Sequence, residues 1–303
     1  MTSSCVFTID VEDYYHVSAF ETDIERSAWP GFESRVSDST RRLLDLLDAH
    51  ETKATFFVLG WVADHCPALV REIDRRGHEI GSHSYWHRLV YNLTPEQFRS
   101  DLRRSKVVLE DLIGKEVASF RAPSFSITRK SLWALEILVE EGIRIDSSIF
   151  PTHHDRYGIP DANPDPHVIH TASGDLLEFP PSVLKMGRVN LPVSGGGYFR
   201  LKPWPVYRRL VQRVLSAGRP FMFYIHPWEV DPEQPDIAIG SRVSRARHYL
   251  NLKHTEKKLV RLLGEWSFGT TSQAMDVWSQ EAAPEEEAAA TSTPGLVNHA
   301  GVE

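Results

Sequence analysis

The chain has 303 residues, of which 41% are hydrophobic and 25% are charged, and these are ordinary values for a globular protein. This length allows one large α/β domain or two smaller ones. The net charge of −7 at pH 7 is mildly acidic, and nothing in it suggests a nucleic-acid-binding protein.

The chain opens Met-Thr-Ser-Ser and passes directly into a strand-like segment, so the sequence predicts no signal peptide. No apolar run approaches the ~20 residues of a membrane span. The two cysteines, Cys5 and Cys66, match no metal-binding or redox pattern. We therefore expect a reduced, intracellular protein without a membrane span.

Strand and helix signals alternate along the chain before residue 230. The predicted strands lie at 6–9, 54–59, 119–121, 143–146, 176–179 and 221–225, with a further apolar segment that ends at Ile80. The predicted helices begin after Ser37-Asp38-Ser39 or lie at 67–76, 94–114, 128–142 and 203–217. Residues 150–175 are rich in Pro, His and Asp and predict a long excursion. About seven strand–helix units with near-continuous apolar strands predict a parallel sheet covered by helices and closed as a barrel.

In barrels of this kind, the reactive side chains lie on loops that follow the strands. Asp10-Val11-Glu12-Asp13 follows the first strand, and crowding three carboxylates there is costly unless a cation or an arginine compensates them. One of these acids could ligate a metal and another could act as a base. Loop acids that cap a helix are an equal alternative.

His83 and His87 lie four residues apart, just after the segment that ends at Ile80. On one turn of helix or in a tight loop, this spacing directs both imidazoles toward one point, as a divalent metal requires. The chain has 14 histidines, so the pair alone is as compatible with surface or packing histidines as with metal ligands.

Three further motifs also follow predicted strands. Arg121-Ala122-Pro123 could hold a carboxylate through its guanidinium, although most Arg-x-Pro segments only mark turns. Asp146-Ser147-Ser148 is an ordinary N-cap sequence. His226 ends the strand at 221–225, where a histidine can be a general acid or a satisfied residue at the edge of the core.

The order of these motifs is more specific than any one of them. Asp-x-Glu-Asp, His-x-x-x-His, Arg-x-Pro, Asp-Ser-Ser and a strand-ending His over residues 5–227 resemble the polysaccharide deacetylase family, also called NodB-homology or carbohydrate esterase family 4. The segments at 8–16, 191–200 and 226–232 are similar to the subgroup linked to exosortase and exopolysaccharide gene clusters. This resemblance continues to about residue 275.

The resemblance implies an α/β fold with a distorted (β/α)7 barrel over residues 1–230. It also implies a subgroup-specific C-terminal extension over 231–280 that packs on the barrel. The acidic tail over 281–303 lies outside the resemblance, and its low hydrophobicity and clustered acids predict disorder. The implied activity is metal-dependent hydrolysis of N-acetyl groups on amino sugars of a polysaccharide or its precursor. We expect this reaction in the cytoplasm, at the periphery of an inner-membrane polysaccharide synthesis machinery, with an N-acetylated oligo- or polysaccharide as substrate.

Carried over motif by motif, the resemblance implies that Asp10 is the general base and His226 the general acid. Arg121 would hold Asp10, and Asp146 would orient His226. The histidine pair and one of the acids that follow Asp10 would bind a divalent metal. Zinc is the default ion for two histidines and a carboxylate, and Co²⁺, Ni²⁺ or Mn²⁺ would also fit.

The acidic motif departs from the common family pattern of two adjacent aspartates, because Val11 follows Asp10 in this chain. The metal carboxylate must therefore be Glu12 or Asp13. Glu12 matches related Asp-x-Asp patterns by position, whereas Asp13 keeps the usual side-chain length. Both residues remain candidates at this point.

For the substrate, the resemblance implies that a backbone N–H just after Pro123, at Ser124, stabilises the developing oxyanion. Aromatic side chains near the motifs could stack on apolar sugar faces or pack inside the barrel, and these are Tyr14, Tyr15, Tyr85, Trp86 and Tyr198. Gly195-Gly196-Gly197 has no following Gly-Lys-Ser/Thr, so it predicts a flexible loop that shapes the groove.

Two other functions remain open on sequence grounds. Some barrel relatives are small-molecule amidases that act on a cyclic ureide or a formamide, and they often lack the full metal triad. A degenerate member could instead bind carbohydrate or serve as a scaffold after losing the base, a metal ligand or the acid histidine. This sequence retains candidates for each of those groups.

Overall fold

The computed structural model of the protein describes residues 5–154, 156–187, 189–237 and 241–278, so the predicted acidic tail lies outside the described residues. The strands are β1 (Cys5–Val11), β2 (Thr55–Val58), β3 (Glu79–Ser82), β4 (Ser119–Phe120), β5 (Ile145–Asp146), β6 (His167–Thr171), β7 (Gly174–Glu178), β8 (Val183–Met186), β9 (Val189–Pro192) and β10 (Phe221–Ile225). The α-helices are α1 (Val36–Ala49), α2 (Gly60–His65), α3 (Pro67–Arg75), α4 (Pro95–Ile113), α5 (Trp133–Glu140), α6 (Gly196–Leu201), α7 (Trp204–Ser216), α8 (Arg242–Tyr249) and α9 (Thr255–Glu265). Residues 271–278 are also helical.

A single large sheet organises the described part of the chain. Seven of its strands run parallel in the order β10-β1-β2-β3-β4-β5-β7, and β6 pairs antiparallel with β7 at the edge. The first strand lies beside the last parallel strand, with Cys5 opposite Phe221 and Ile9 opposite Ile225. The predicted α/β class with parallel strands is therefore confirmed.

The sheet curls, because side chains from its two ends meet in the interior. Val6 of β1 and Met222 of β10 pack with Ile145 of β5 and with Phe179, which follows β7. In the described residues, β7 and β10 form no ladder. Instead, Ser182 lies in the gap, and its Oγ accepts a hydrogen bond of 2.8 Å from the backbone N–H of Met222. The barrel is therefore distorted as predicted: side chains close this side, and strand pairing does not.

Helix α4 shows why local sequence signals were informative in this fold. Thr94 accepts a hydrogen bond from the backbone N–H of Gln97, and the Gln97 side chain accepts one from the backbone N–H of Thr94. Gly114 ends the helix with a φ of 67°, a conformation that glycine adopts without steric cost. Both helix ends lie where the sequence predicted them.

Three segments differ from the sequence prediction. The helix predicted from Thr128 begins at Trp133, because Thr128 and Ser131 first form a turn in which the Thr128 N–H donates to Ser131 Oγ. The excursion at 150–175 contains β6, and the β8–β9 hairpin was also missed. These hairpin strands are largely half-buried or exposed, so they lack the continuous apolar runs that mark the central strands.

The C-terminal part of the described chain packs against the amino ends of the strands. Gly269 pairs with Val6 in a short parallel bridge. The backbone N–H of Thr271 donates to Thr55 Oγ1, and Ser272 hydrogen-bonds Glu79 through both its backbone and its side chain. These contacts leave the carboxyl ends of the strands, at the opposite end of the barrel, available for a functional site.

Within the described residues, no helix combines the length and the apolar character needed to cross a lipid bilayer.

Candidate active site

One carboxylate and two imidazoles meet at the carboxyl ends of β1 and β3. Glu12 follows β1, while His83 and His87 lie in the loop that follows β3. One ligand atom from each of the three side chains lies within 4.8 Å of the other two, and all three residues are buried. Among the described residues, this is the group of acids, histidines and cysteines that has the spacing of a metal site.

The segment that carries His83 and His87 is a tight loop and not a turn of helix. Of the two backbone conformations that the four-residue spacing allows, the loop is therefore the one that occurs. Ser84 and His87 adopt left-handed backbone conformations with φ values of 64° and 50°. The carboxylate of Asp101, on α4, accepts hydrogen bonds from the backbone N–H groups of Tyr85 (2.7 Å) and Trp86 (3.1 Å). Ser84 Oγ accepts another from the N–H of His87. These bonds hold a strained loop in one shape.

The tautomer of His83 follows from its surroundings. Its Nδ1 lies 2.8 Å from the carbonyl oxygen of Arg121, so Nδ1 carries the proton and donates it. Burial lowers the pKa of His83 to about 4, which leaves the ring neutral at pH 7. Its Nε2 lone pair is therefore free to bind a cation, and the carbonyl fixes the ring orientation as metal-ligating histidines require.

The donors in this cluster fit a divalent cation. Glu12 Oε2 lies 2.6 Å from His87 Nε2, but the two atoms do not have hydrogen-bond geometry. This buried oxygen has no hydrogen-bond partner within the protein. Burial raises the pKa of Glu12, but the three nearby histidines have the larger combined effect, and the pKa is lowered. A buried, ionised carboxylate beside two imidazoles is the donor set that zinc and similar ions bind.

Asp13 is not part of this cluster. Its Oδ2 accepts hydrogen bonds from Ser34 Oγ (2.9 Å) and from the backbone N–H groups of Arg35 (2.9 Å) and Val36 (3.1 Å), at the start of α1. Burial raises the pKa of Asp13 to about 6, although these hydrogen bonds oppose the rise. The geometry thus favours Glu12 over Asp13 as the metal carboxylate, and Asp13 instead caps a helix.

Asp10 is held by Arg121, as the resemblance implied. Arg121 Nη1 lies 2.7 Å from Asp10 Oδ1 and also donates to Thr8 Oγ1. The other guanidinium nitrogens donate to the carbonyl and hydroxyl oxygens of Ser147. Because Oδ1 is engaged in this way, Oδ2 is the oxygen that faces His226, whose Nε2 is 3.9 Å away.

His226 reaches the Glu12, His83 and His87 cluster from the end of β10. Its Nε2 lies 3.6 Å from Glu12 Oε1. The His226 side chain is also 21% exposed, so part of the ring is open to solvent. Burial lowers the pKa of His226, but its hydrogen bond to Glu229 and the charges of Glu12, Glu229 and Asp10 raise it to about 9. The ring is therefore protonated at neutral pH in the protein without a bound cation.

The prediction that Asp146 orients His226 is wrong. The Nδ1 of His226 instead lies 2.8 Å from Glu229 Oε1. Asp146 accepts a hydrogen bond from Ser148 Oγ and contacts Glu178, and both acids are fully buried. Burial raises the pKa of Asp146 to about 6 and, together with the charge of Asp146, raises that of Glu178 well above its usual range. The two carboxyl groups therefore share a proton inside the barrel.

Sequence reasoning missed Glu229, although a local signal was present. His226-Pro227-Trp228-Glu229 reads as a capping box, with proline at the first helical position and an acid at the third. Glu229 Oε1 accepts a hydrogen bond of 3.1 Å from the backbone N–H of His226, as that motif predicts, and the histidine ring donates to the same oxygen.

The residues predicted to contact the substrate divide into two groups. Tyr14, Tyr15 and Tyr85 are only 1–2% exposed, so they pack inside the protein and present no ring face to a sugar. Trp86 and Tyr198 are half-buried, and Trp86 lines a surface cleft with Arg88, Gln97 and Arg104. The expectation for Tyr14 is thus wrong, while Trp86 and Tyr198 keep accessible ring surface.

Pro123 and Ser124 lie in the turn that follows β4. Pro123 is buried and Ser124 is half-buried, with a left-handed φ of 51° at Ser124 and the same value at Phe125. Ser124 Oγ lies 2.6 Å from Ser18 Oγ, which ties this turn to the segment after β1. The turn therefore has a defined, strained conformation just after Arg121 in the chain.

Comparison with known families divides the chain into two matched regions. Residues 21–139 match the family model described as polysaccharide deacetylase. Residues 147–276 match one described as a domain of unknown function, DUF3473. Asp10 and Glu12 precede the first matched region, whereas His226 and Glu229 lie in the second.

Curated relatives are similar over part of the chain. A peptidoglycan-N-acetylglucosamine deacetylase of Bacillus cereus is 35% identical over 98 residues, which are 32% of this chain and 36% of that protein. A chitin deacetylase of Pestalotiopsis sp. is 32% identical over 120 residues, which are 38% of this chain and 40% of that protein. The aligned regions thus span two fifths or less of the length of these relatives.

Solved structures share the fold over nearly the whole chain. A Mycobacterium smegmatis protein assigned to the polysaccharide deacetylases superposes with a TM-score of 0.59 at 21% identity, covering 100% of this chain and 96% of that one. A point mutant of the peptidoglycan deacetylase PdaC from Bacillus subtilis gives a TM-score of 0.50 at 15% identity, covering 95% and 96%. At these identities, the similarity establishes the (β/α)7 fold.

Proposed function

We propose that the protein is a metal-dependent N-deacetylase that removes acetyl groups from N-acetylated amino sugars of a polysaccharide or its precursor, a proposal supported by the match of residues 21–139 to the polysaccharide deacetylase family model. The observation that carries this proposal is that two kinds of group lie close together at the carboxyl ends of the strands. The Glu12, His83 and His87 cluster is a cation site by its donors. Asp10 and His226, a candidate base and a candidate acid, lie next to it.

Glu12, His83 and His87 would hold the cation in this proposal. A divalent ion bound there would lower the pKa of water and polarise the amide carbonyl of the substrate. Zinc is the default for this donor set, and Co²⁺, Ni²⁺ or Mn²⁺ would also fit. The carbonyl of Arg121, which accepts from His83 Nδ1, supports the site because it keeps the ligating nitrogen directed at the cluster.

Asp10 is the general base in this proposal. Arg121 occupies its Oδ1, so Oδ2 is the atom that takes the proton from the attacking water. The buried guanidinium fixes the carboxylate in orientation.

His226 is the general acid. Its Nε2 faces Asp10 and Glu12, so the protonated ring can give its proton to the nitrogen of the leaving amine. An amine is too basic to leave without that proton. The products are acetate and a free amino sugar. The backbone N–H of Ser124, just after Pro123, would stabilise the oxyanion that develops on the acetyl carbonyl.

The substrate proposal rests on the half-buried aromatic side chains and on the sequence motifs. Trp86 and Tyr198 are half-buried, so their rings can stack on apolar sugar faces. Segments 191–200 and 226–232 are similar to the exopolysaccharide-linked subgroup. This similarity supports a role for the enzyme in the synthesis of an exopolysaccharide or a cell-envelope polymer. No described feature favours the amidase or scaffold alternative, since a base candidate, a three-ligand cluster and an acid candidate are all present.

The test is an assay of acetate release from a panel of N-acetylated oligosaccharides, with and without a chelator. We expect stoichiometric acetate and free amine, loss of both after chelation, and recovery when Zn²⁺ is restored. Protein that binds the metal but releases acetate from no sugar would overturn the proposed function.

A further inference from the structure

The imidazole of His226 is fixed at Nδ1, the nitrogen that does not face Asp10 and Glu12. Nδ1 lies 2.8 Å from Glu229 Oε1, which also accepts the backbone N–H of His226. Glu229 is 1% exposed, so its carboxylate is shielded from bulk solvent. A carboxylate at Nδ1 holds that nitrogen in its protonated form and directs Nε2 toward Asp10 and Glu12.

Glu229 is in turn held by a buried arginine. Arg200 Nε lies 2.8 Å from Glu229 Oε2, and both side chains are at most 2% exposed. The remaining guanidinium nitrogens donate to the carbonyl oxygens at the end of α8, namely those of Arg247, His248 and Leu250. All three guanidinium nitrogens of Arg200 therefore have hydrogen-bond acceptors, which fixes the guanidinium in place. The fixed guanidinium in turn holds the Glu229 carboxylate in one position.

The glycine segment that precedes Arg200 makes room for this pair. A Cβ atom built on Gly196 would lie 2.1 Å from Glu229 Oε2, and one on Gly195 would lie 2.6 Å from the ring of Tyr224. Gly195 also has a φ of 97°, which other residues rarely adopt. The prediction of a flexible loop is therefore wrong for these two glycines, which are buried and in close contact.

Aromatic stacking restrains the plane of the acid ring. The Trp228 indole stacks on His226, with ring centres 5.1 Å apart and an angle of 18° between planes. Its other neighbour is His248 of α8, at 4.2 Å and 16°. The Nε2 of His248 pairs with Gln234 Oε1, which anchors the far end of the stack.

From these contacts we propose that Glu229, clamped by Arg200 and the end of α8, is the positioning residue that orients His226 and keeps its Nε2 proton directed at the leaving group. Its place in the chain gives the matched domain of unknown function a role, because Arg200, Glu229 and α8 all lie within residues 147–276. The inference rests on the proposed deacetylase function. It assigns to Glu229 the task that the resemblance gave to Asp146.

Two substrates separate this role from a structural one. Release of an amine from an N-acetylated chito-oligosaccharide needs the proton of His226, whereas release of 4-nitrophenolate from 4-nitrophenyl acetate does not. We expect Glu229→Gln to lower kcat on the amide by about 10- to 100-fold, the range typical of outer partners of site residues. Its KM, its Zn²⁺ content and its kcat/KM on the ester should stay at wild-type values. Glu233→Gln, at an exposed acid four residues further on, is the matched control and should be unchanged on both substrates.

A structural role would lower the amide and ester rates together or reduce the metal content, and either result would overturn the proposal. Unchanged amide turnover in Glu229→Gln would do so as well. A lower melting temperature alone is expected of Glu229→Gln, because it leaves the buried Arg200 charge unpaired. Glu229→Asp is the second variant, because it keeps the charge at a shorter reach and should recover part of the lost amide turnover.

A measurement independent of activity separates failure of this proposal from failure of the proposed function. Long-range ¹H–¹⁵N spectra, with the His226 signals assigned by their loss in His226→Gln, report protonation at each ring nitrogen. Glu229→Gln should shift the Nδ1 signal, and an unchanged signal would refute the contact. A wild-type protein with the expected Nδ1 signal but no acetate release from any sugar would refute the deacetylase function and leave the contact in place.

Discussion

The guanidinium of Arg121 lies 2.7 Å from the carboxylate of Asp10, and both groups are buried in the centre of the barrel. Removing one partner of a buried pair leaves the other charge unpaired, which costs about 3 kcal/mol or more. We therefore expect Arg121→Met to lower the free energy of unfolding by about 3 kcal/mol and to abolish acetate release. Urea denaturation monitored by fluorescence measures the first effect.

The control for this experiment is Arg144→Met, at an exposed arginine that pairs with the exposed Glu116. Its unfolding free energy should change by about 0.5 kcal/mol or less. Equal losses in the two variants would contradict a special stabilising role for the buried Asp10–Arg121 pair.

Glu12 and Asp13 are neighbours in sequence but have different contacts, so matched amide substitutions separate them. Glu12→Gln removes a ligand charge from the cluster and should weaken Zn²⁺ binding by at least about 100-fold, measured by isothermal titration calorimetry. Asp13→Asn should retain Zn²⁺ and instead lose about 1 kcal/mol of stability, because its charge no longer faces the start of α1. The reverse pattern would identify Asp13 as the ligand.

His226 should be needed for turnover and not for metal binding. We expect His226→Ala to bind Zn²⁺ normally and to lose about 10²- to 10⁴-fold in kcat on an N-acetylated oligosaccharide, the usual contribution of a general acid. Metal content by atomic absorption and acetate release by a coupled assay test the two halves. Full activity in this variant would remove His226 from the mechanism.

The buried Asp146–Glu178 pair should make stability fall as pH rises. Both folded-state pKa values lie above the unfolded values, that of Asp146 at about 6. The pair's contribution to stability is therefore fully present below pH ~4 and is lost as the pH rises through ~6 and beyond. Glu178→Gln mimics the protonated acid, so its stability relative to wild type should increase between pH 5 and pH 8.

This prediction is checked by urea unfolding at both pH values with the same zinc concentration. Glu116→Gln, at an exposed acid, serves as the reference and should show no such trend. A constant difference between Glu178→Gln and wild type would mean that the two carboxyl groups do not share a proton.

Two adjacent glycines provide the sharpest steric test of the Arg200–Glu229 clamp. An added methyl group at Gly196 meets the Glu229 carboxylate, whereas one at Gly197 has no atom within 4 Å. We expect Gly196→Ala to lose most amide turnover and about 1–3 kcal/mol of stability, as overpacked sites do. Gly197→Ala should match wild type in both assays, and equal behaviour of the two variants would contradict the close packing at Gly196.

Much of the site was predictable because parallel strands bring their carboxyl ends to one edge. Asp10, His83, Arg121 and His226 were found in that way, since each follows an apolar run. The choice between Glu12 and Asp13 was not predictable, because it depends on the direction in which the chain turns after β1. The side of the sheet to which a loop side chain points is set by packing and not by spacing.

The order of the motifs along the chain could not predict which carboxylate binds Nδ1 of His226, for a different reason. Asp146 follows a strand, as the expected pattern requires, but β5 lies beside β7, and there its carboxyl group meets Glu178. Glu229 is fixed by Arg200, 29 residues earlier in the chain, through a contact that no local pattern encodes. Likewise, the burial of Tyr14 depends on how the segment after β1 packs against its neighbours.

The pairing of β1 with β10 has a consequence for the order in which a growing chain acquires its parts. Glu12, His83 and His87 leave the ribosome early, whereas the strand that carries His226 is among the last of the sheet to emerge. The three candidate ligands are therefore synthesised long before the proton donor, and His226 reaches them only once β10 has paired with β1.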